Sequence, residues 1–447
     1  MSGDSETNPS DVPHLPTMIP LGDAFAPKVL ADMHDAGVSP AVLSDLALKA
    51  AYTVPQFTTE WAARRLCLPL ALVSELLEQQ RADHLLEVIG TSGPFGYRYA
   101  ILARGRERAG RLLEVSGYVG PAPVSLESYT AMIEWQVARA PAVGPRHVAD
   151  ALADLVLPEE SRLRAGLAIS SGRSLFLHGP PGNGKTSLGR ALHNALQTHL
   201  WIPHCIGIES TIIRIFDAQV HHAVDVSPDQ SRAIDQRWVR VRRPLIVAGG
   251  ELTLESFDLA YSPSLRYYEA PLHVKANGGT FLIDDFGRQR IEPHLLLNRW
   301  IIPMEHQFDY LTLHTGQKIQ VPFLLSLIIA TNLDPADVTD AAFLRRMGYR
   351  LRLGPPSPER YAEIFRRHAG RLGAEVPPGL LDRLLALYHR DRRELRSCEP
   401  RDLIDRVRDI CRYRELPLQL NEETLELAWT GYFGENPTPA GELPGLP

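Results

Sequence analysis

Cysteine is scarce in this 447-residue chain. Cys67, Cys205, Cys398 and Cys411 stand far apart, with no CxxC spacing among them. That excludes a disulfide-framed scaffold and a cysteine-ligated zinc site, and it reads as reduced thiols in a cytoplasmic protein. A basic excess is also lacking. Lys and Arg number 47 against 53 Asp and Glu, a formal net charge of −6, so bulk charge does not drive nucleic-acid binding. No apolar run approaches the roughly 20 residues that span a bilayer, so no membrane insertion is expected. The opening, MSGDSETNPSDVPHLPT, lacks the basic segment and apolar core of a secretory signal. The pair His221–His222 in QVHHAV has no partner ligands at usable spacing, which points to a polar surface position rather than a metal site.

What is present is the composition of a soluble globular protein, 44% hydrophobic and 22% charged, long enough for two or three cores. Residues 1–24 and 434–447, rich in proline, are expected as disordered tails. In residues 25–120, SPAVLSDLALKAAYTV, TTEWAARRLCLP and PLALVSELLEQQRADH read as three helices, with Ser39 and Thr58 as caps. LLEVIG and YRYAILAR follow as a hairpin around TSGPFG. Three helices and a hairpin resemble a winged helix-turn-helix. After the break GYVGPAPV, residues 121–354 alternate helices with the buried-strand runs SLFLHG, PLIVAGG, TFLIDD and LLSLIIATN. That alternation predicts an α/β fold, a parallel sheet covered on both faces. Beyond GPPSP, residues 355–433 read as wholly helical.

The chemistry concentrates in the second region. Gly179-Pro180-Pro181-Gly182-Asn183-Gly184-Lys185-Thr186-Ser187 fits GxxxxGK[ST] with a strand before and a helix after. Its glycines let backbone N–H groups curl round phosphates, and the helix N-terminus adds positive potential. Lys185 is expected to bridge the phosphates of ATP, and the Thr186 hydroxyl to ligate Mg2+. The strand FLIDD ends on Asp284 and Asp285. Asp284 is expected to hold magnesium, and Asp285 to stand where a general base belongs, one methylene shorter than Glu. Asn332, ending LIIATN, is placed to reach the γ-phosphate and the attacking water. Arg345 and Arg346 are candidates for a finger inserted into a neighbouring subunit's nucleotide, and Arg401, at a helix start, for a contact from the C-terminal helices.

The ordered set Gly179–Thr186, Asp284–Asp285, Asn332, Arg345–Arg346 and Arg401, followed by a helical lid, resembles the AAA+ ATPases over roughly residues 121–432. HQFDYLTLHTGQKIQVPF reads as a β-hairpin turning near His314–Gln317, ahead of the Asn332 strand, which is similar to the pre-sensor hairpin superclade. The phrases SGRSLFLHGPPGNGKTS, NRWIIPMEHQFDYLTLHTG and EPRDLID resemble a group of bacterial proteins described as predicted ATPases with chaperone activity associated with Flp pilus assembly. Residues 200–275 look like an insertion whose Tyr267–Tyr268 pair offers either a gripping surface or packed aromatics. The resemblance implies a homo-oligomeric ring, a hexamer, that remodels or assembles an unknown protein partner. The doubled Asp is similar to that of replication initiators and helicase loaders of the same superfamily, and implies slow, switch-like hydrolysis.

Two other functions stay open. One is a DNA-bound regulator or loader that uses the winged helix. Residues 42–120 hold nine Lys/Arg against eight Asp/Glu, and a DNA-reading domain usually has a strongly basic face, so docking to protein is favoured over DNA. The other is an ATP-binding scaffold with little hydrolysis.

Overall fold

The computed structural model describes residues 12–22, 24–93, 96–335 and 341–434. The chain divides into two compact units that do not follow its order. One comprises Met1–Ala142, Leu196–Leu282 and Arg288–Leu327; the other comprises Val143–Ala195, Ile283–Gly287 and Ile328–Pro447.

In the first unit, helix Pro40–Tyr52 starts behind Ser39, whose side chain accepts the Ala41 N–H. Helix Thr59–Leu66 starts behind Thr58, which accepts the Trp61 N–H at 3.2 Å. Each cap satisfies an N–H that the first helical turn leaves unpaired. Helix Leu70–Ala82 follows Pro69. Strands Leu86–Ser92 and Gly96–Ile101 form the expected hairpin, and Gln56–Thr58 adds a third strand on the far side of Gly96–Ile101. Leu43, Leu46, Leu72, Leu76 and Tyr99 lie in the core beneath this sheet. Pro94 and Phe95, at the expected wing, lie outside the described residues.

Two expectations are corrected in this unit, and one left open is decided. Residues 18–21 do not form the expected disordered tail: Met18–Leu21 pairs antiparallel with Ala24–Pro27, and Met18, Ile19 and Leu21 pack on a buried core. Apolar contact along that hairpin outweighs the ordering cost that the nearby prolines suggested. His221 is not a surface residue. It is 2% exposed, its Nδ1 accepts the Asp217 N–H at 3.0 Å, and its Nε2 meets the Lys275 carbonyl at 2.8 Å. Both ring nitrogens are satisfied by backbone, which is what permits burial. Tyr268 is 3% exposed and Tyr267 packs edge-on against Tyr118, so the pair is packed rather than presented. Residues 199–269 are rich in strands: Thr211–Arg214 pairs with Cys205–Ile208 and with Tyr267–Glu269. Phe308–Thr312 and Lys318–Pro322 form the expected hairpin, with Leu311, Ile319 and Val321 buried and Tyr310 half exposed.

The second unit has an α/β fold. Ile328–Thr331 and Tyr349–Arg352 pair in parallel with the two sides of Leu175–His178. Phe176, Leu177, Ile329 and Ala330 are fully buried, as continuous apolar runs require of strands covered on both faces. Beyond Ile283 the chain stays beside this sheet: the Phe286 N–H donates to the Ala330 carbonyl at 2.8 Å, and the Thr331 hydroxyl to the Phe286 carbonyl at 2.7 Å. Helices Glu159–Ser170 and Lys185–His193 belong to the same unit. So do four C-terminal helices, Pro358–Arg371, Leu380–Arg390, Glu399–Tyr413 and Glu422–Phe433, which share a core of Phe365, Leu384, Leu403, Val407 and Trp429.

Candidate active site

The second unit carries a cleft of about 470 Å³, and residues Pro181–Ser187, Asp284, Asp285, Asn332 and Arg401 line it. The loop before helix Lys185–His193 is shaped by glycines at positive φ: Gly179 at 133°, Gly182 at 81° and Gly184 at 81°. At Gly179 a side chain is excluded twice over, because a Cβ there would lie 2.3 Å from the Leu353 carbonyl oxygen. The strand end and the adjacent chain therefore force this loop to be glycine where it turns.

Lys185 is 7% exposed, and its ammonium donates to the Gly179 and Pro180 carbonyls, both at 2.9 Å. Burial pushes its pKa below the ordinary lysine value, and the carboxylates of Asp285 and Asp284 oppose that shift. The Thr186 hydroxyl lies 2.9 and 2.8 Å from the two carboxylate oxygens of Asp284. These residues lie 98 apart in sequence, so the fold itself brings the loop and the acidic strand end together. Asp285 sits in the left-handed region at φ 50°, a conformation that Asp tolerates better than most residues. Its N–H donates to Asp284 Oδ1 at 3.1 Å, and its Oδ1 accepts Asn332 Nδ2 at 2.7 Å. The two acids thus diverge: Asp284 toward Thr186, and Asp285 toward Asn332.

Arg401 stands on the wall of the cleft with a 61% exposed side chain, paired with Asp402 at 3.1 Å. Arg345 and Arg346 close helix Ala341–Arg346. Arg345 is exposed, and neither residue is among those lining the cleft of its own chain. The structure therefore gathers the loop, Asp284, Asp285, Asn332 and Arg401, and leaves the arginine pair apart from them.

Sequence reading missed the opposite wall. Leu155, Val156 and Leu157 line the cleft with Ile364. Helix Pro358–Arg371 holds that segment: Arg367 Nη1 donates to the Ala153 carbonyl at 2.7 Å, and Arg371 Nη2 to Asp154 at 2.5 Å. An apolar triplet between an acid and a proline, DLVLP, is too common to single out without its neighbour from the far end of the chain. Ser397 and Cys398 are also wall residues that no motif flagged.

The donor set suits a hydroxyl- and carboxylate-held magnesium ion. Thr186 and Asp284 offer hard oxygen atoms, and no group of three or more His, Cys, Asp or Glu that could cage a metal occurs among the described residues. Magnesium characteristically takes one or two protein oxygens and completes its shell with phosphate and water. Lys185, held on two carbonyl oxygens beside the loop, has donors for phosphate oxygens in the same place.

Residues 357–431 match a family described as Domain of unknown function (DUF8689). No curated protein matches the chain. Among solved structures it is similar to RuvB of Thermotoga maritima, the Holliday junction branch migration motor, at 15% identity and a TM-score of 0.33 over 64% of this chain and 69% of that one. It is also similar to NtrX of Brucella abortus in complex with ADP, at 12% identity and a TM-score of 0.40 over 70% of this chain and 61% of that one. NtrX in complex with ATP gives 12% identity and a TM-score of 0.41, over 71% and 61%. What the cleft of this chain can do follows from its own geometry.

Proposed function

We propose that the chain is a AAA+-type ATPase that binds Mg-ATP in this cleft, hydrolyses it slowly, and works as an oligomeric ring on a protein partner. The observation that carries the reading is the clasp of Thr186 on Asp284, 2.8 Å apart, beside a glycine loop whose lysine ammonium is already turned inward. The backbone N–H groups of Gly182–Lys185 and the Lys185 ammonium would bind the phosphates. Thr186 and Asp284 would hold magnesium, which neutralises charge on the phosphates when bound. Asp285, oriented by Asn332, would accept a proton from water, a role that needs contact near 2.6–3.2 Å, directly or through one water. Arg401 would meet the γ-phosphate from the C-terminal helices. The apolar wall of Leu155–Leu157 and Ile364 suits a flat base.

Titration calorimetry tests the reading. The wild type binds Mg-ATP and Lys185→Ala does not; equal affinities would sink the assignment. Steady-state phosphate release separates a slow ATPase from an ATP-binding scaffold.

The arrangement of three helices with the sheet of residues 56–58, 96–101 and 86–92 supports a winged-helix reading of the N-terminal part. Its most basic helix, Ala103–Val115, has Arg108 paired with Asp45 and Arg111 with Glu107. Arginines answered by acids favour protein docking over phosphate contact. Duplex binding by the full chain that weakens steeply with salt would favour the DNA reading instead.

A further inference from the structure

The phosphate loop is held from outside as well as by its own glycines. Residues 396–398, just ahead of helix Glu399–Tyr413, lie against it. The Cys398 N–H donates to the Gly182 carbonyl at 2.9 Å, and the Ser397 N–H to Asn183 Oδ1 at 3.2 Å. Asn183 is 4% exposed, and its amide in turn donates to the Pro180 carbonyl at 3.4 Å. Contact is close enough that a Cβ on Gly182 would lie 2.8 Å from Cys398 Sγ. Two hydrogen bonds from backbone N–H groups, one to the Gly182 carbonyl and one to the Asn183 side chain, thus fix the middle of the loop.

What holds residues 396–398 is a carboxylate. Glu399 is 4% exposed, and burying such a group costs several kcal/mol unless it is hydrogen-bonded. Its Oε2 accepts the Arg396 N–H at 3.0 Å and the Tyr388 hydroxyl at 2.6 Å. The Tyr388 hydroxyl also meets that of Tyr361 at 2.9 Å. Tyr361 is on helix Pro358–Arg371 and Tyr388 on helix Leu380–Arg390, and both rings are in the shared core. A chain of contacts therefore runs from that core through Tyr361, Tyr388 and Glu399 to the Arg396 backbone, and from there to Gly182 and Asn183.

We infer that Glu399 is a positioning residue for the phosphate loop: through Arg396 and the 396–398 turn it sets the loop's shape before any nucleotide arrives. The inference rests on the nucleotide reading for its purpose but not for its test. Glu399 touches neither the cleft nor a reacting group, and it acts only by holding others. Burial pushes its carboxyl above the ordinary Glu range, against the hydrogen bonds that favour the charged form. Gln, which keeps one oxygen for both donors, is therefore the conservative replacement, and Ala removes the acceptor.

Hydrogen exchange on the nucleotide-free full chain reads the effect directly. In Glu399→Ala, amides of residues 182–186 exchange at least about tenfold faster than in the wild type, whereas Glu399→Gln stays within about twofold. With ATP, the KM of Glu399→Ala rises about tenfold while kcat stays within about threefold, because a loop that must first be ordered weakens binding before it slows chemistry. Should Glu399→Ala not fold, Tyr388→Phe removes one donor from the same oxygen, and it too speeds exchange at 182–186. A folded Glu399→Ala or Tyr388→Phe protein whose loop amides exchange as in the wild type overturns the inference. Faster exchange in a protein whose wild type binds no ATP overturns the nucleotide reading and leaves the positioning role standing.

Discussion

At the residue scale the sharpest question is Asp285. It ends a buried strand as the second of two acids, with left-handed backbone at φ 50° and an Asn332 amide 2.7 Å from its Oδ1. The backbone kink separates its carboxylate from that of Asp284, so one acid serves Thr186 while the other faces the polar end of the Asn332 strand. A carboxylate one methylene shorter than Glu ends roughly 1–1.5 Å further from a water placed for Glu. Slow turnover is the expected consequence, well below the typical enzyme median of about 10 s⁻¹. Asp285→Asn removes proton acceptance but keeps size and hydrogen bonding, and Asp284 still faces Thr186. Hydrolysis therefore falls at least about a hundredfold while Mg-ATP affinity stays within about threefold. Phosphate release and calorimetry on the two proteins decide it, and equal turnover would send the search for the base elsewhere in the cleft.

At the element scale, helices announced themselves through caps and strands through buried runs. Thr58 and Ser39 were legible because a hydroxyl before an apolar-periodic run has one local use, to accept an orphan N–H. Thr58→Ala removes that acceptor from Trp61 and lowers stability by about 1 kcal/mol. The expected result is a lower unfolding midpoint with unchanged ATP affinity, and an unchanged midpoint would show that the cap contributes nothing here. Spacing, composition and local chemistry also exposed the glycine loop and the paired acids. Contacts made across long sequence separations stayed hidden. His221 looked like a surface residue because nothing in QVHHAV reveals the Lys275 carbonyl, 54 residues away, that satisfies its Nε2. The strand Gln56–Thr58 is three residues long, too short to show an alternating pattern. Arg367 and Ala153, 214 residues apart, shape the apolar wall of the cleft, and neither carries a motif.

At the scale of the whole molecule, buried histidines set how stability answers to acid. Burial holds His204, His221 and His273 below the ordinary histidine pKa, His204 down to about 4. Unfolding returns each to about 6.5, so between about pH 6.5 and 4 the unfolded chain binds more protons than the folded one. Stability therefore falls as pH falls through that window, and the His204 share levels off below about 4. Asp217 and Asp309, whose pKa values lie below the ordinary Asp value, add their own loss only at still lower pH. Urea unfolding across this range should show the decline, and His204→Phe should flatten part of it; an unchanged slope would remove His204 from the account. Assembly is the remaining question at this scale. Arg345 and Arg346 are not among the residues lining their own cleft, while Arg367 and Arg371 are engaged with Ala153 and Asp154. If the arginine pair serves a neighbour, hydrolysis per subunit rises with protein concentration as rings form. Changing both arginines to Ala leaves ATP binding intact and abolishes turnover. Complementation then isolates the trans contact. A subunit with Arg345→Ala and Arg346→Ala keeps a complete cleft but offers no finger, and an Asp285→Asn subunit offers a finger but has no base. Neither hydrolyses alone. In an equal mixture that assembles at random, half of the subunits have a complete cleft and half of their finger-side neighbours supply arginines, so about a quarter of wild-type turnover returns. A mixture no more active than its two components means that these arginines do not act across a subunit boundary, and the ring loses its catalytic purpose.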